Sequence, residues 1–232
     1  MKHKLNKKFG FDDVEVLPIF PNQSQKLLRK EMTSTLYEYY LVGDIGEPDD
    51  YIELCDILRS ASPNDEVLIR FNSGGGLLST GDMIINAINE SQANVHGFIE
   101  HSCGSMATMI FLQCHSWSLS DSAEFFVHNA SGGSFGKENE NYASTMFARR
   151  KIHRMIKNRY AGFLSDVEIE NVLNGQDYYF DAEEISSRLE SYSAYHQEKF
   201  MQEMEALEKE LLEKEIPDNE KEEAMFKKQL LS

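Results

Sequence analysis

Between Tyr37 and His128 the chain alternates short β-rich runs with apolar segments of helical length, and this alternation restricts the fold more than any other feature. Residues 37–42 read as a strand, ended by Gly43 and Gly46. Asp49-Asp50 opens a helix with Ile52, Leu54, Cys55 and Leu58 as its apolar positions, and Ser62-Pro63-Asn64-Asp65 stops it. Residues 67–71 form a second strand, followed by the loop Asn72-Ser73-Gly74-Gly75-Gly76 and a helix over 78–89. Residues 95–99 are the third strand, with a helix over 106–112. A fourth strand, 124–128, follows a turn at Asp121-Ser122. A helix between successive strands carries the chain back along the sheet, so the strands must run largely parallel. The expected class is α/β, built from repeated βαβ units.

Beyond His128 the pattern becomes helical. Tyr142, Met146, Arg149, Ile152, Ile156, Tyr160 and Phe163 recur at helical spacing and predict one long helix. Ser165-Asp166-Val167-Glu168 is a capping-box sequence for a further helix to about Leu173. Gly175 ends that helix, residues 177–180 are extended, and Asp181-Ala182-Glu183-Glu184 starts another helix, acidic in its first turn. After residue 190 the chain turns glutamate-rich. Phe200, Met204, Leu207 and Leu211 fall at i, i+4, i+7 and i+11, a narrow apolar stripe that Pro217 interrupts. Three parts result: an N-terminal arm (1–35), a main domain (36–190) and an acidic helical extension (191–232). The lysine-rich start reads as a solvated segment, and Leu17-Pro18-Ile19-Phe20-Pro21 as extended chain.

The formal net charge of −16 would repel a phosphate backbone, which argues against nucleic-acid binding. Cys55, Cys103 and Cys114 are odd in number and lack CxxC spacing, so they read as reduced thiols, and no metal site is expected. No window approaches the roughly 20 apolar residues of a membrane span. The basic start is not followed by the apolar run of a signal peptide. A cytoplasmic protein is the expectation.

Ser105 stands where the third strand gives way to its helix, a place where a hydroxyl can project from the sheet and unpaired helix N–H groups can face negative charge. As a nucleophile it would need a base and a group to orient that base. His128, at the end of the next strand, is a candidate base, because parallel strand ends share one sheet edge. Asp177 is a candidate orienter. Backbone N–H groups at Gly75-Gly76 and at Met106 could serve an oxyanion. Read singly, each has a structural alternative: an N-cap for Ser105, a hydrogen-bonded core histidine for His128, a turn or cap for Asp177. The glycine run lacks both the Gly-Lys-[Ser/Thr] of a P-loop and the GxGxxG of a dinucleotide site.

The order of these segments resembles ClpP, the proteolytic subunit of the ATP-dependent Clp protease, within the Clp/crotonase superfamily. FNSGGGLLSTGDMI is similar to the family's Asn-Ser-Pro-Gly-Gly segment and the helix after it, GSMATMIFL to its nucleophile segment, FFVHNASGG to its base segment and DYYFDAEE to its orienter segment. The separations are 23 residues (128 − 105) and 49 residues (177 − 128), close to those of the family. The resemblance implies Ser105 as nucleophile, His128 as base and then acid, Asp177 as orienter, and Gly76 and Met106 as oxyanion donors. It implies substrate peptide added as a strand at Gly132-Gly133 and a handle helix over about 137–164. It also implies a homo-oligomeric ring of seven, single or stacked in pairs, an AAA+ unfoldase as partner, and no cofactor. Divergent members of this kind occur in phage genomes, some as head-maturation proteases. A ring-forming scaffold with a disengaged triad and a crotonase-type acyl-CoA enzyme are the competing readings. The chain departs from the family pattern at Gly74, in place of proline, at His101 and at Asn129-Ala130. Ser186-Ser187-Arg188-Leu189 replaces the family's Tyr-Gly-Leu-(Ile/Val)-Asp ending.

Overall fold

The computed structural model describes residues 4–9, 32–131 and 137–215. Seven strands form one sheet: β1 (Lys4–Phe9), β2 (Met32–Ile45), β3 (Glu66–Gly76), β4 (Asn94–Gly104), β5 (Ser116–Leu119), β6 (Glu124–Val127) and β7 (Tyr178–Phe180). Six α-helices accompany them: α1 (Ile52–Ser60), α2 (Leu78–Glu90), α3 (Met106–Gln113), α4 (Glu138–Tyr160), α5 (Asp166–Leu173) and α6 (Ala182–Glu215). The α/β class is as the alternation predicts.

The order across the sheet is β1-β2-β3-β4-β6-β7, with β5 also paired to β4. The pairs β2–β3, β3–β4, β4–β5 and β4–β6 are parallel, and the two outer pairs, β1–β2 and β6–β7, are antiparallel. One edge of β4 serves two partners in succession. His96 to Ile99 pair with β5, and Ser102 to Gly104 pair with β6.

Burial alternates along β3 and β4. Val67, Ile69 and Phe71 of β3 and Val95 and Ile99 of β4 point inward and are fully buried, against Ile84, Ala87 and Ile88 of α2 and the apolar length of α3. A run of aromatic rings ties the elements together. Phe71 meets Phe111 at 5.4 Å, Phe111 meets Phe125 at 6.1 Å, Phe125 meets Phe163 at 4.8 Å and Phe163 meets Phe180 at 5.8 Å. Aromatic pairs of this kind, three of them edge-to-face and Phe125–Phe163 tilted, add about 1 kcal/mol each beyond the area they bury. They join β3, α3, β6, β7 and the turn after α4 into one core.

Several elements differ from the sequence pattern. Residues 72–76, expected as a loop, continue β3, because Asn72, Gly75 and Gly76 pair with β2. Likewise β4 runs on from Ile99 to Gly104: beyond a register shift Cys103 still pairs with Ser73 of β3, while Ser102 to Gly104 meet β6. The short strand β5 follows α3 where no strand was expected, although Trp117 and Leu119 alternate with Ser116 and Ser118. The lysine-rich start, expected as a solvated segment, pairs as β1, while Leu17–Pro21 lies outside the described residues. α4 ends at Tyr160, and Phe163 packs from the turn beyond it. The capping box at Ser165 and Glu168 forms with both of its hydrogen bonds. α6 is unbroken across residue 190, with Ile185, Leu189 and Tyr192 buried and Phe200, Met201, Met204 and Leu207 exposed.

Candidate active site

The loop from β4 into α3 sets the position of Ser105. Its φ of 52° and ψ of −122° make it the one non-glycine residue at positive φ among the described residues. Such a conformation costs about 1–3 kcal/mol and persists only where the surroundings impose it. They do so on both sides. The Ser105 N–H donates to Phe126 O of β6 at 2.8 Å. The Ser105 carbonyl accepts from the Thr108 N–H at 3.0 Å and from the Thr108 hydroxyl at 2.5 Å, and Tyr160 holds that hydroxyl at 2.6 Å. Ser105 occupies the N-cap position of α3, but its side chain makes no capping hydrogen bond. The hydroxyl is half-buried and uncommitted.

Beneath Ser105 two strands approach more closely than side chains would allow. A methyl group on Gly75, which has φ 102°, would lie 2.7 Å from Ser105 Cβ and 2.9 Å from Met106 N. One on Gly104 would lie 2.9 Å from Gly74 O. The glycine segment is therefore the floor on which the serine turn rests. The Gly75 N–H is already given to Ser73 Oγ at 3.1 Å. At the next residues, the Leu77 N–H meets Ile45 O at 2.8 Å. Met106 is the first residue of α3 and is buried, and its N–H has no acceptor within the helix.

His128 follows β6 directly. Gly104 is opposite Phe126, so Ser105 and His128 leave parallel strands at the same edge. The His128 ring stacks on Phe126 at 4.8 Å and 16°, and Phe126 stacks on Tyr179 at 4.4 Å and 20°. β7 returns antiparallel with Phe125 opposite Phe180, Phe126 opposite Tyr179 and Val127 opposite Tyr178. The ladder ends at Val127 and Tyr178, and His128 and Asp177 are the residues just beyond that last pair. Sequence spacing alone gave no reason for that neighbourhood. It arises because β7 is antiparallel and brings its N-terminal end to the edge where the parallel strands finish. No hydrogen bond among the described residues joins Ser105 to His128 or His128 to Asp177, and Asp177 is exposed. Catalytic hydrogen bonds are often long before substrate arrives.

A groove of about 520 Å³ opens beside His128, with Leu78, Ala130, Ile152 and Leu173 among its walls. Asn129 braces its rim by donating to Leu173 O at 3.1 Å. Gly132 and Gly133 lie outside the described residues. Cys103, close in sequence to Ser105, is no rival nucleophile, because complete burial pushes its thiol well up and keeps it protonated. His101, where the family has glycine, points outward and contacts Ser122 O at 2.9 Å. Thr108 and Ser73 hold the site's backbone, and sequence reasoning passed over both. Thr108 does carry a signal, as a hydroxyl residue three positions after the serine, in the first turn of α3. No group of three or more metal-ligating side chains occurs among the described residues.

Residues 49–216, more than half of the chain, match the family model described as Clp protease. No curated protein matches the chain.

Proposed function

The chain belongs to the Clp protease family, and from that premise we propose that it is a serine endopeptidase in which Ser105 forms an acyl-enzyme with unfolded polypeptide. The observation that carries this reading is the serine turn itself: a strained residue with an uncommitted hydroxyl, bonded through its N–H to β6 two residues before His128. Ser105 Oγ attacks the scissile carbonyl while His128 takes its proton. Collapse of the tetrahedral intermediate breaks the C–N bond, and the proton passes from His128 to the leaving amine. Water then repeats the sequence in reverse roles to release the acyl group. Asp177 orients the His128 ring. The N–H groups of Gly76 and Met106 hold the oxyanion, each worth about 3–4 kcal/mol of barrier. The substrate lies as an added strand along Gly132-Gly133, and the groove past His128 has mixed walls, with Leu78, Ile152 and Leu173 next to Arg149 and His153.

Members of this family generally form oligomeric rings. For this chain a homo-oligomeric ring, most simply a heptamer, fed by an AAA+ unfoldase in the cytoplasm, is the assembly that fits, and head processing in a phage is one setting for it. The unformed bonds among Ser105, His128 and Asp177 favour one second reading, a ring-forming scaffold. A fluorophosphonate probe separates the two. Wild type should label at Ser105 and Ser105→Ala should not, with native mass reporting the ring. A ring that fails to label would show the scaffold, and peptide cleavage surviving in Ser105→Ala would end the serine mechanism.

A further inference from the structure

A depression of about 540 Å³ opens where the C-terminal end of α3 meets the C-terminal half of α4 and the first half of α6. The eight residues of α3 separate it from Ser105, a rise of about 12 Å. Trp117, the single tryptophan of the chain, lines it beside Tyr192, their rings edge-to-face at 5.6 Å. The indole N–H donates to Phe111 O at 2.8 Å, which fixes the plane of the ring. Burial pushes the Tyr192 phenol up to about 12, so it is present as the neutral group.

Lys151, Arg154 and Arg159 converge on the same space from successive turns of α4. One carboxylate lines it, Asp82, and Lys151 already pairs with it at 3.1 Å. The Arg159 guanidinium donates to the neutral Gln113 side chain, and Arg154 makes no ion pair or hydrogen bond among the described residues. Two guanidinium charges therefore stand uncompensated at one depression, in a chain whose net charge is −16. The positive potential they set up there favours an anion in the depression. Planar guanidinium forks match phosphate oxygens in pairs, and two such charges balance a phosphate dianion. The volume is that of a small-molecule site, within the usual range of about 300–1,000 Å³.

We propose that this depression binds an organic phosphate, with an aromatic body against Trp117 and Tyr192 and a phosphate held by Arg154 and Arg159. Nothing in this depends on the peptidase mechanism. Trp117 is also the reporter, because its emission, excited at the red edge, comes from this site alone. Full-length protein titrated with AMP should show a saturable change in Trp117 emission. Adenosine, the body without the head, should give none, and inorganic phosphate should compete only weakly. Arg154→Glu, at an exposed and unpaired position, should keep the melting curve and weaken AMP binding about tenfold or more, the loss of one charge-assisted pair. No saturable response to AMP through the millimolar range would overturn the proposal. So would equal affinity in Arg154→Glu, or phosphate alone binding as tightly as AMP.

Discussion

Ser105 holds a backbone conformation that glycine would adopt at less cost. Its hydroxyl makes no hydrogen bond among the described residues, so removing it sacrifices no contact. Relief of the positive φ is worth about 1–3 kcal/mol, and the extra freedom of an unfolded glycine returns about 0.4–1 kcal/mol of that. Ser105→Gly should therefore abolish probe labelling and raise stability by about 1 kcal/mol, or about 2–4 °C in melting temperature. Ser105→Ala keeps the strained φ and should lose labelling without the gain. Melting curves for the pair separate strain from chemistry, and a Ser105→Gly protein no more stable than Ser105→Ala would mean that the turn is unstrained. Cys103, by contrast, is a residue whose burial makes it inert beside the site.

Among the elements, α6 shows what replaced the family's usual chain ending. Arg188 donates to both carboxylate oxygens of Glu168 at 2.7 and 3.1 Å and to Phe163 O at 3.0 Å, and it lies 4.2 Å over the Phe180 ring. One side chain thus clamps α6 to α5, to the turn after α4 and to β7. The Arg188 hydrogen bonds, helped by Ser165 and opposed by burial, bring the Glu168 carboxyl from its ordinary 4.5 down to about 2. A carboxyl more acidic in the folded state stabilises the fold above its unfolded pKa, and that contribution is lost as the pH falls through 4.5 towards 2. Both groups are partly solvated, so the contribution is on the order of 1–2 kcal/mol. Glu168→Gln should flatten the dependence of melting temperature on pH across that interval and lower stability at neutral pH. An unchanged acid limb would show that the clamp is idle. The capping box and the segments around Ser105 and His128 were legible in the sequence, because caps and βα alternation are local signals. The strand character of residues 72–76 and the pairing of β6 with β7 were not. Each depends on which strand lies next to which, and a chain read in order carries no mark of that. Arg188 appeared in the sequence only as a departure from a pattern, since its hydrogen-bond partners lie 20 and 25 residues away.

At the scale of the whole molecule, two surfaces stand without cover among the described residues. Parallel sheets are normally buried on both faces, yet the face opposite α1 to α3 carries Glu38, Tyr40, Arg70, Phe98 and Glu100, with Arg70 bonded to both glutamates. Tyr40 is 38% and Val42 57% exposed, so part of this face is available to a neighbouring subunit. The second surface is the distal half of α6. The helix has 34 residues and spans about 50 Å, and every side chain from 193 to 210 is exposed. Removing residues 199–232 should leave the melting temperature of the subunit within about 2 °C, since exposed positions contribute little. Native mass of the shortened chain then tells whether those residues act between subunits. A drop of many degrees with unchanged mass would mean that the segment supports the fold itself.

β6 and β7 are neighbours in the sheet, yet α4 and α5 lie between them in the chain. The two helices form an excursion that departs just after His128 and rejoins at Asp177. Its covalent attachments to the sheet are Val127 and Tyr178, each next to one of the two residues proposed as base and orienter. Exchanging the excursion for a longer or shorter one would leave the strand order intact, while any tug on it would be felt first at the two residues where it meets the sheet.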